Sequence, residues 1–127
     1  MDLVDVSDVA ESLGRFGDGY LHRVFTEREV AACADGTDVA RLAACFAAKE
    51  ATLKTLRADD EPIDWRTIEV LVPVRGEPTA TLHGRSAELA DREGLVAFEV
   101  SVTGGDTYAA AVVLAERVDT CQTSLEA

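Results

Sequence analysis

Glu50 and Lys54 are the side chains whose types and spacing best suit chemistry in this sequence, because they are charged groups one helical turn apart. A carboxylate oxygen is a ligand that Mg²⁺ prefers, and an ammonium group binds phosphate oxygens. The same spacing also suits an exposed ion pair, which stabilises a helix by only a few tenths of a kcal/mol. The residue types alone leave both interpretations open.

The segment that must position these two residues, ARLAACFAAKEATLKTLR at residues 40–57, has the clearest helical pattern in the chain. Leu42, Phe46 and Leu53 recur at spacings of four and seven residues, which predicts an apolar stripe along one helix. Glu50 follows Phe46 by four residues. We therefore expect the Glu50 carboxylate on or beside the packed face of this helix.

The rest of the sequence predicts short helices and strands around that segment. Thr26 and Glu29 have the spacing of a capping box, which predicts a helix ending near residue 34. Gly14, Gly17 and Gly19 predict a loop that includes Asp18 and Tyr20. Further helices are predicted at residues 7–16 and 85–93, and strands at residues 2–6, 65–72, 78–83, 95–103 and 107–116.

Composition restricts the classes of function. A chain of 127 residues suits one domain, and a net charge of −12 disfavours nucleic acid and anionic membranes as partners. The apolar runs are short for a membrane span, which favours a cytoplasmic protein. Cys33, Cys45 and Cys121 lack the spacing of a metal site, so we expect buried or idle thiols.

The string FAAKEATLK, preceded by ARLAA, resembles the signature helix of the holo-acyl carrier protein synthases, which are small 4′-phosphopantetheinyl transferases. The resemblance implies an α+β fold in which an antiparallel sheet wraps around a long helix. It also implies one domain over residues 1–116, a disordered tail over residues 117–127, and a homotrimer with its sites between subunits. Other similar segments occur in the family's order: DLVDV, RVFTEREVAAC, IDWRTIEVL, GEPTATLHGRSAELA and SVTGGDTYAAAVVLAE.

The resemblance also implies particular roles in phosphopantetheinyl transfer. Asp2 and Glu50 would bind Mg²⁺, while Lys49 and Lys54 would contact the phosphates of coenzyme A. Glu50 and Lys54 would be the catalytic side chains, with Glu50 or a metal-bound water as the base. The partner in such a reaction is an acyl carrier protein.

Three features depart from the family pattern. Cys45 stands where the family has a phosphate-binding arginine, and Gly104 stands where it has a histidine. An acidic turn at residues 58–62 replaces a glycine-rich loop. All three changes, and the net charge, act against an anionic cofactor.

These departures favour the hypothesis that the coenzyme A site has become an intersubunit pocket for a small hydrophobic molecule, without any cofactor. The favoured activity is a cyclase acting on a polyketide or macrolactone. An active synthase that uses Mg²⁺ and coenzyme A is the alternative, and a non-catalytic binding subunit is the third hypothesis. The candidate lining residues of the pocket are Tyr20, Cys45, Trp65, Thr103 and Tyr108.

Overall fold

The structure is a computed structural model and describes residues 1–118. Ten helices and strands follow one another along this part of the chain. In order they are β1 (Asp2–Asp5), α1 (Val6–Phe16), α2 (Asp18–Val24), α3 (Glu27–Ala32), α4 (Val39–Thr55), β2 (Ile68–Leu71), β3 (Thr79–Leu82), α5 (Gly84–Arg92), β4 (Leu95–Gly104) and β5 (Tyr108–Arg117).

Helix α4 is the central element of the fold. The Asp38 side chain caps it by accepting a hydrogen bond from the Arg41 backbone N–H at 3.1 Å. The helix packs against the strands β1, β2, β4 and β5 and against α1 and α3. Most of its buried positions are alanines, so the strands approach the helix closely.

Two antiparallel sheets surround α4. The larger one has the order β1-β5-β4, and the smaller one pairs β2 with β3. Asp2 lies opposite Ala111 on β5, so β1 is paired from its first residue. This pairing holds the Asp2 backbone in the sheet that packs on α4.

The α+β fold class, with an antiparallel sheet around a long helix, is confirmed. The predicted loop containing Tyr20 is wrong, because residues 18–24 form α2; Gly17, with φ of +54°, separates this helix from α1. Trp65 begins a short 3₁₀ turn rather than a strand. The predicted tail lies outside the described residues from position 119 onward.

Within residues 1–118, none of the helices has both the length and the apolar character needed to cross a membrane.

Candidate functional site

The structure brings together Asp2, Glu50 and Lys54, which we call the carboxylate–lysine cluster. The Lys54 Nζ lies 2.7 Å from Asp2 Oδ1 and 3.1 Å from the Met1 carbonyl oxygen. The pairing of β1 with β5 supplies Asp2, and α4 supplies the other two side chains. Lys54 therefore pairs with an aspartate from a distant part of the chain, not with Glu50 as a simple helical ion pair would.

The electrostatics of this cluster show an excess of negative charge. Partial burial, a hydrogen bond with Asp2 and the charge of Asp2 together raise the pKa of Glu50 to about 7, while Lys54 acts in the opposite direction. While both carboxylates are ionised, Asp2 Oδ2 is buried and has no hydrogen-bond partner among the described residues, and a proton on Glu50 would give it one. An orphaned carboxylate oxygen beside a second carboxylate is a site that still needs a proton or a cation.

A Mg²⁺ ion fits the donor set of this cluster. Mg²⁺ is commonly bound by one or two carboxylates and completes its octahedral shell with water and substrate phosphates. Across residues 1–118, no group of three or more histidine, cysteine or acidic side chains forms a candidate metal site. Asp2 and Glu50 would therefore supply two carboxylates, and oxygens from outside the protein would supply the remaining ligands.

A cleft of about 850 Å³ opens on the Lys54 side of the cluster. Lys54, Arg57 and Arg92 are its cationic lining residues, and Asp59 and Glu93 are among its acidic ones. Neither arginine makes an ion pair with another residue in the range 1–118. Sequence reasoning missed both arginines, because the turn after α4 and the end of α5 meet only in the folded chain.

The acidic turn before β2 is less negative in the structure than its sequence predicts. The Arg85 guanidinium donates two hydrogen bonds to the Glu61 carboxylate, from Nε at 2.6 Å and from Nη2 at 2.8 Å. This contact lowers the pKa of Glu61, so the carboxylate stays charged and paired. The turn therefore repels an anion in the cleft less than its composition suggests.

A second cavity, of about 320 Å³, opens on the Glu50 side of the cluster. Tyr20 and Phe46 line it together with Glu50, and Asp5 and Asp8 add further carboxylates. Burial and the negative charge of Glu50 raise the pKa of Tyr20 to about 12, so its hydroxyl stays protonated at neutral pH. The predicted pocket residue Tyr20 thus lies beside a predicted metal ligand, Glu50.

The predicted roles of Lys49 and Cys45 do not fit the structure. The Lys49 and Glu29 side chains are both 0% exposed, and Lys49 Nζ lies 2.6 Å from Glu29 Oε1. The Cys45 Sγ contacts Glu29 Oε2 at 3.4 Å and the Val70 carbonyl oxygen at 3.3 Å. Neither a phosphate contact from Lys49 nor a pocket contact from Cys45 is available, since both side chains are in the core.

Glu29 is the centre of this buried group, which we call the Glu29 network. Besides Lys49 and Cys45, its carboxylate accepts hydrogen bonds from the Thr26 N–H at 2.8 Å and the Val70 N–H at 2.7 Å. The capping box predicted from Thr26 and Glu29 is present, so the same carboxylate caps α3 and pairs with α4. The contact with Lys49 had no local signal in the sequence, because the two residues are 20 positions apart.

The five predicted pocket residues do not line one pocket within the protomer. Trp65 packs on Phe46, with ring centroids 5.2 Å apart. Thr103 and Tyr108 line a separate cavity of about 380 Å³ at the β4–β5 hairpin. Tyr20 lies at the Glu50 cavity, and Cys45 is buried.

Gly104, which stands where the family has a histidine, lies in a closely packed part of that hairpin. A Cβ atom added there would lie 3.0 Å from the Ala109 Cα and 3.1 Å from the Tyr108 carbonyl oxygen. The backbone of β5 therefore leaves little room for any side chain at this position. Replacing the glycine would require the facing strand to move.

The fold and the cluster define a small α+β protein with a candidate Mg²⁺ site between its first strand and its central helix. The model of the 4′-phosphopantetheinyl transferase superfamily matches residues 1–113. The chain belongs to this family.

Individual relatives agree with the family match. The holo-acyl-carrier-protein synthase of Koribacter versatilis (strain Ellin345) is 36% identical over 118 residues, which cover 91% of this chain and 94% of the relative. That of Moorella thermoacetica is 39% identical over 117 residues, or 91% of each chain. The crystal structure of the Helicobacter pylori holo-acyl-carrier-protein synthase in complex with coenzyme A matches with a TM-score of 0.77 and 25% identity, covering 91% of this chain and 96% of that one.

These relatives contradict two of the expectations from sequence. The favoured hypothesis of a cyclase is wrong, because the matching relatives are synthases and coenzyme A occupies a matching structure. The expectation that the protein needs no cofactor is wrong for the same reason. The hypothesis rested on Cys45, Gly104 and the acidic turn together with the net charge of −12, and none of these describes the cationic groups beside Lys54.

Proposed function

We propose that this protein is a holo-acyl carrier protein synthase, which transfers the 4′-phosphopantetheinyl group of coenzyme A to a serine of an acyl carrier protein. The carboxylate–lysine cluster is the observation that carries the proposal. It combines two adjacent carboxylates, one oxygen of which is buried without a partner in residues 1–118, with an ammonium group at the edge of a cleft. Phosphoryl transfer relies mainly on such positioning and charge neutralisation.

Each residue of the cluster would have its own role in this reaction. Asp2 and Glu50 would hold Mg²⁺, which supplies positive charge to the phosphate oxygens when it is bound. Lys54 would bind a phosphate oxygen, and the Glu50 carboxylate would accept the serine proton, either directly or through a water. The serine oxygen would bond to the phosphorus next to the pantetheine. The bond from that phosphorus to the bridging oxygen would break, and 3′,5′-ADP would leave with the bridging oxygen.

The Lys54 cleft is the proposed place for coenzyme A. The cofactor is a polyanion, and the arginine that the family places at position 45 is absent from this chain. Arg57 and Arg92 offer two other cationic groups beside Lys54, and Glu61 is already paired with Arg85. These local charges support anion binding despite the net charge of −12.

A homotrimer is part of the proposal. One face of the larger sheet carries an exposed apolar stripe formed by Leu3, Tyr108, Val112 and Leu114. A stripe of this kind is typical of a surface that another chain covers. Light scattering after size-exclusion chromatography would test it, and a monomeric mass would contradict it.

Transfer itself is tested with purified apo acyl carrier protein, coenzyme A and Mg²⁺, by following the gain in mass of the carrier. We expect transfer with the parent protein and its loss in Glu50→Gln. Glu27→Gln, which neutralises an exposed carboxylate on α3, is the matched control and should keep full activity. A folded parent protein that binds coenzyme A but leaves every carrier unmodified would favour the non-catalytic binding subunit instead.

A further inference from the structure

Helix α4 carries a buried ion pair, and most of its other buried positions are alanines. Ala43, Ala47, Ala48 and Ala51 are all buried on this helix. Helices are held in register mainly by large side chains that interlock with their neighbours, and alanines provide little of this. Leu42 and Phe46 supply such packing on one side of α4, and the alanines supply little of it on the other.

The Glu29 network provides the directional contacts that the alanines lack. Glu29 is fixed by the backbone N–H groups of Thr26 and Val70, at 2.8 and 2.7 Å, and so belongs to a rigid frame outside α4. Lys49 reaches this frame with its ammonium group, which also lies 5.6 Å from the centre of the Phe25 ring. A buried ion pair often adds no net stability over an apolar pair, and its best-attested use is to select one arrangement.

We propose that the buried Lys49–Glu29 ion pair is a positioning device that fixes the rotation of α4 so that Glu50 faces Asp2. Lys49 and Glu50 are consecutive, and successive side chains on an α-helix point about 100° apart. A fixed direction for Lys49 therefore fixes the direction of Glu50. The effect that we expect on Mg²⁺ affinity rests on the proposed function, whereas the effect that we expect on the rotation of α4 does not.

The double variant Lys49→Met/Glu29→Gln tests this assignment. It removes both buried charges, and it keeps an oxygen at position 29 that can accept the Val70 N–H. We expect it to fold. In ¹H–¹⁵N NMR spectra without metal, the amide signals of the residues around Glu50 should broaden or double, because α4 samples more than one rotation.

A second measurement separates positioning from stability. We expect the Kd for Mg²⁺ of the double variant, measured by calorimetry, to weaken by about 10- to 100-fold, as when the groups that orient metal ligands are lost. Because the defect is one of ligand placement, saturating Mg²⁺ should restore most of kcat. Thr52→Val is the control, since it removes a different buried polar group, a hydroxyl, from α4 without touching the ion pair, and it should keep sharp signals and the parent Kd.

The outcomes separate this inference from the proposed function. Single, sharp signals around Glu50 in the double variant would overturn the positioning role, whatever the metal does. A parent protein that binds no Mg²⁺ would overturn the proposed function and leave the spectra to decide the positioning role. Should the double variant not fold, Lys49→Leu/Glu29→Gln, which also leaves no buried charge, is measured in the same way, with the same broadening expected and the same sharp spectrum contradicting the assignment.

Discussion

The Glu29 network and the carboxylate–lysine cluster contain the same chemical groups but differ in how completely those groups are paired. Both use a carboxylate from another element and a lysine from α4, and both lysines contact their carboxylates closely, at 2.6 and 2.7 Å. In the network, both oxygens of Glu29 have partners. In the cluster, Asp2 Oδ2 has no partner among the described residues, and Glu50 adds a second carboxylate.

The difference teaches that the completeness of pairing separates a structural ion pair from a candidate ligand site. A buried polar group without a partner is costly, and native proteins keep one mainly where something else binds. Lys49 and Glu50 are neighbours in sequence, yet one belongs to each kind of site. The cluster and the network can be altered separately, by substitution or by pH.

Glu50→Gln should have the largest effect, because it alters a proposed metal ligand and base together. We expect transfer activity to fall by roughly 10³-fold or more, within the range that loss of an acid–base group costs. At pH 5, where Glu50 is already protonated in the folded state, the free energy of unfolding should change little. Steady-state kinetics and urea denaturation measure the two effects, and substantial activity in the variant would remove Glu50 from the chemistry.

Lys49→Met should mainly lower stability, since it leaves the buried Glu29 carboxylate without its cation. We expect a loss of about 3–5 kcal/mol in the free energy of unfolding. Urea denaturation of this variant and of Lys49→Met/Glu29→Gln measures it. If the single variant is as stable as the double one, the ion pair is not what satisfies the Glu29 charge.

Lys54→Gln should weaken binding of coenzyme A while leaving the fold intact, because the side chain is largely exposed. Loss of a charged hydrogen bond to a phosphate is expected to weaken Kd by roughly 10- to 100-fold. Calorimetric titration with coenzyme A checks this, with Arg75→Gln as a control that removes an exposed cation outside the cleft. Equal losses in the two variants would mean that only overall charge matters.

The stability of the metal-free protein should depend on pH through Glu50. Because the folded-state pKa of about 7 lies above the ordinary value of 4.5, the folded state binds more protons between these values. The contribution of Glu50 to stability is therefore greatest near pH 4.5 and below, and it declines as the pH rises to 7. Melting curves at pH 5 and 8 should show this decline in the parent and a smaller one in Glu50→Gln. Identical curves for the two proteins would contradict it.

Cys45→Ala should have the smallest effect, although Cys45 contacts Glu29. Burial and the nearby Glu29 charge hold the pKa of the Cys45 thiol well above its usual range, so it contributes only a weak neutral donor. We expect a loss of about 1 kcal/mol in stability and unchanged transfer. A loss as large as that of Lys49→Met would show that the thiol is an essential part of the network.

The sequence could predict the elements better than their contacts. The α4 stripe, the capping box and the β4–β5 hairpin each depend on residues close together in the chain, and each is present. The resemblance supplied Asp2 and Glu50, which no local pattern connects. The loop predicted from Gly14, Gly17 and Gly19 is wrong in part, because only Gly17 interrupts the helical structure.

The side-chain environment of the site could not be predicted, because it depends on partners far apart in sequence. The resemblance predicts a phosphate contact for Lys49, whereas the structure pairs its side chain with Glu29 in the core. The acidic turn looked repulsive because Arg85, its partner, lies 24 positions after Glu61. Net charge is summed over the whole chain, whereas a ligand responds to the charges within about one Debye length.

The Arg85–Glu61 contact joins the turn after α4 to α5, beside the cleft, and it is partly open to solvent. Dissolved ions weaken such a contact, just as they weaken the attraction between the cleft and a polyphosphate. Raising the concentration of potassium chloride would therefore weaken both the Arg85–Glu61 contact and the proposed binding of coenzyme A. Ionic strength is in this way a single external variable that acts on both the shape of the entrance and its occupancy.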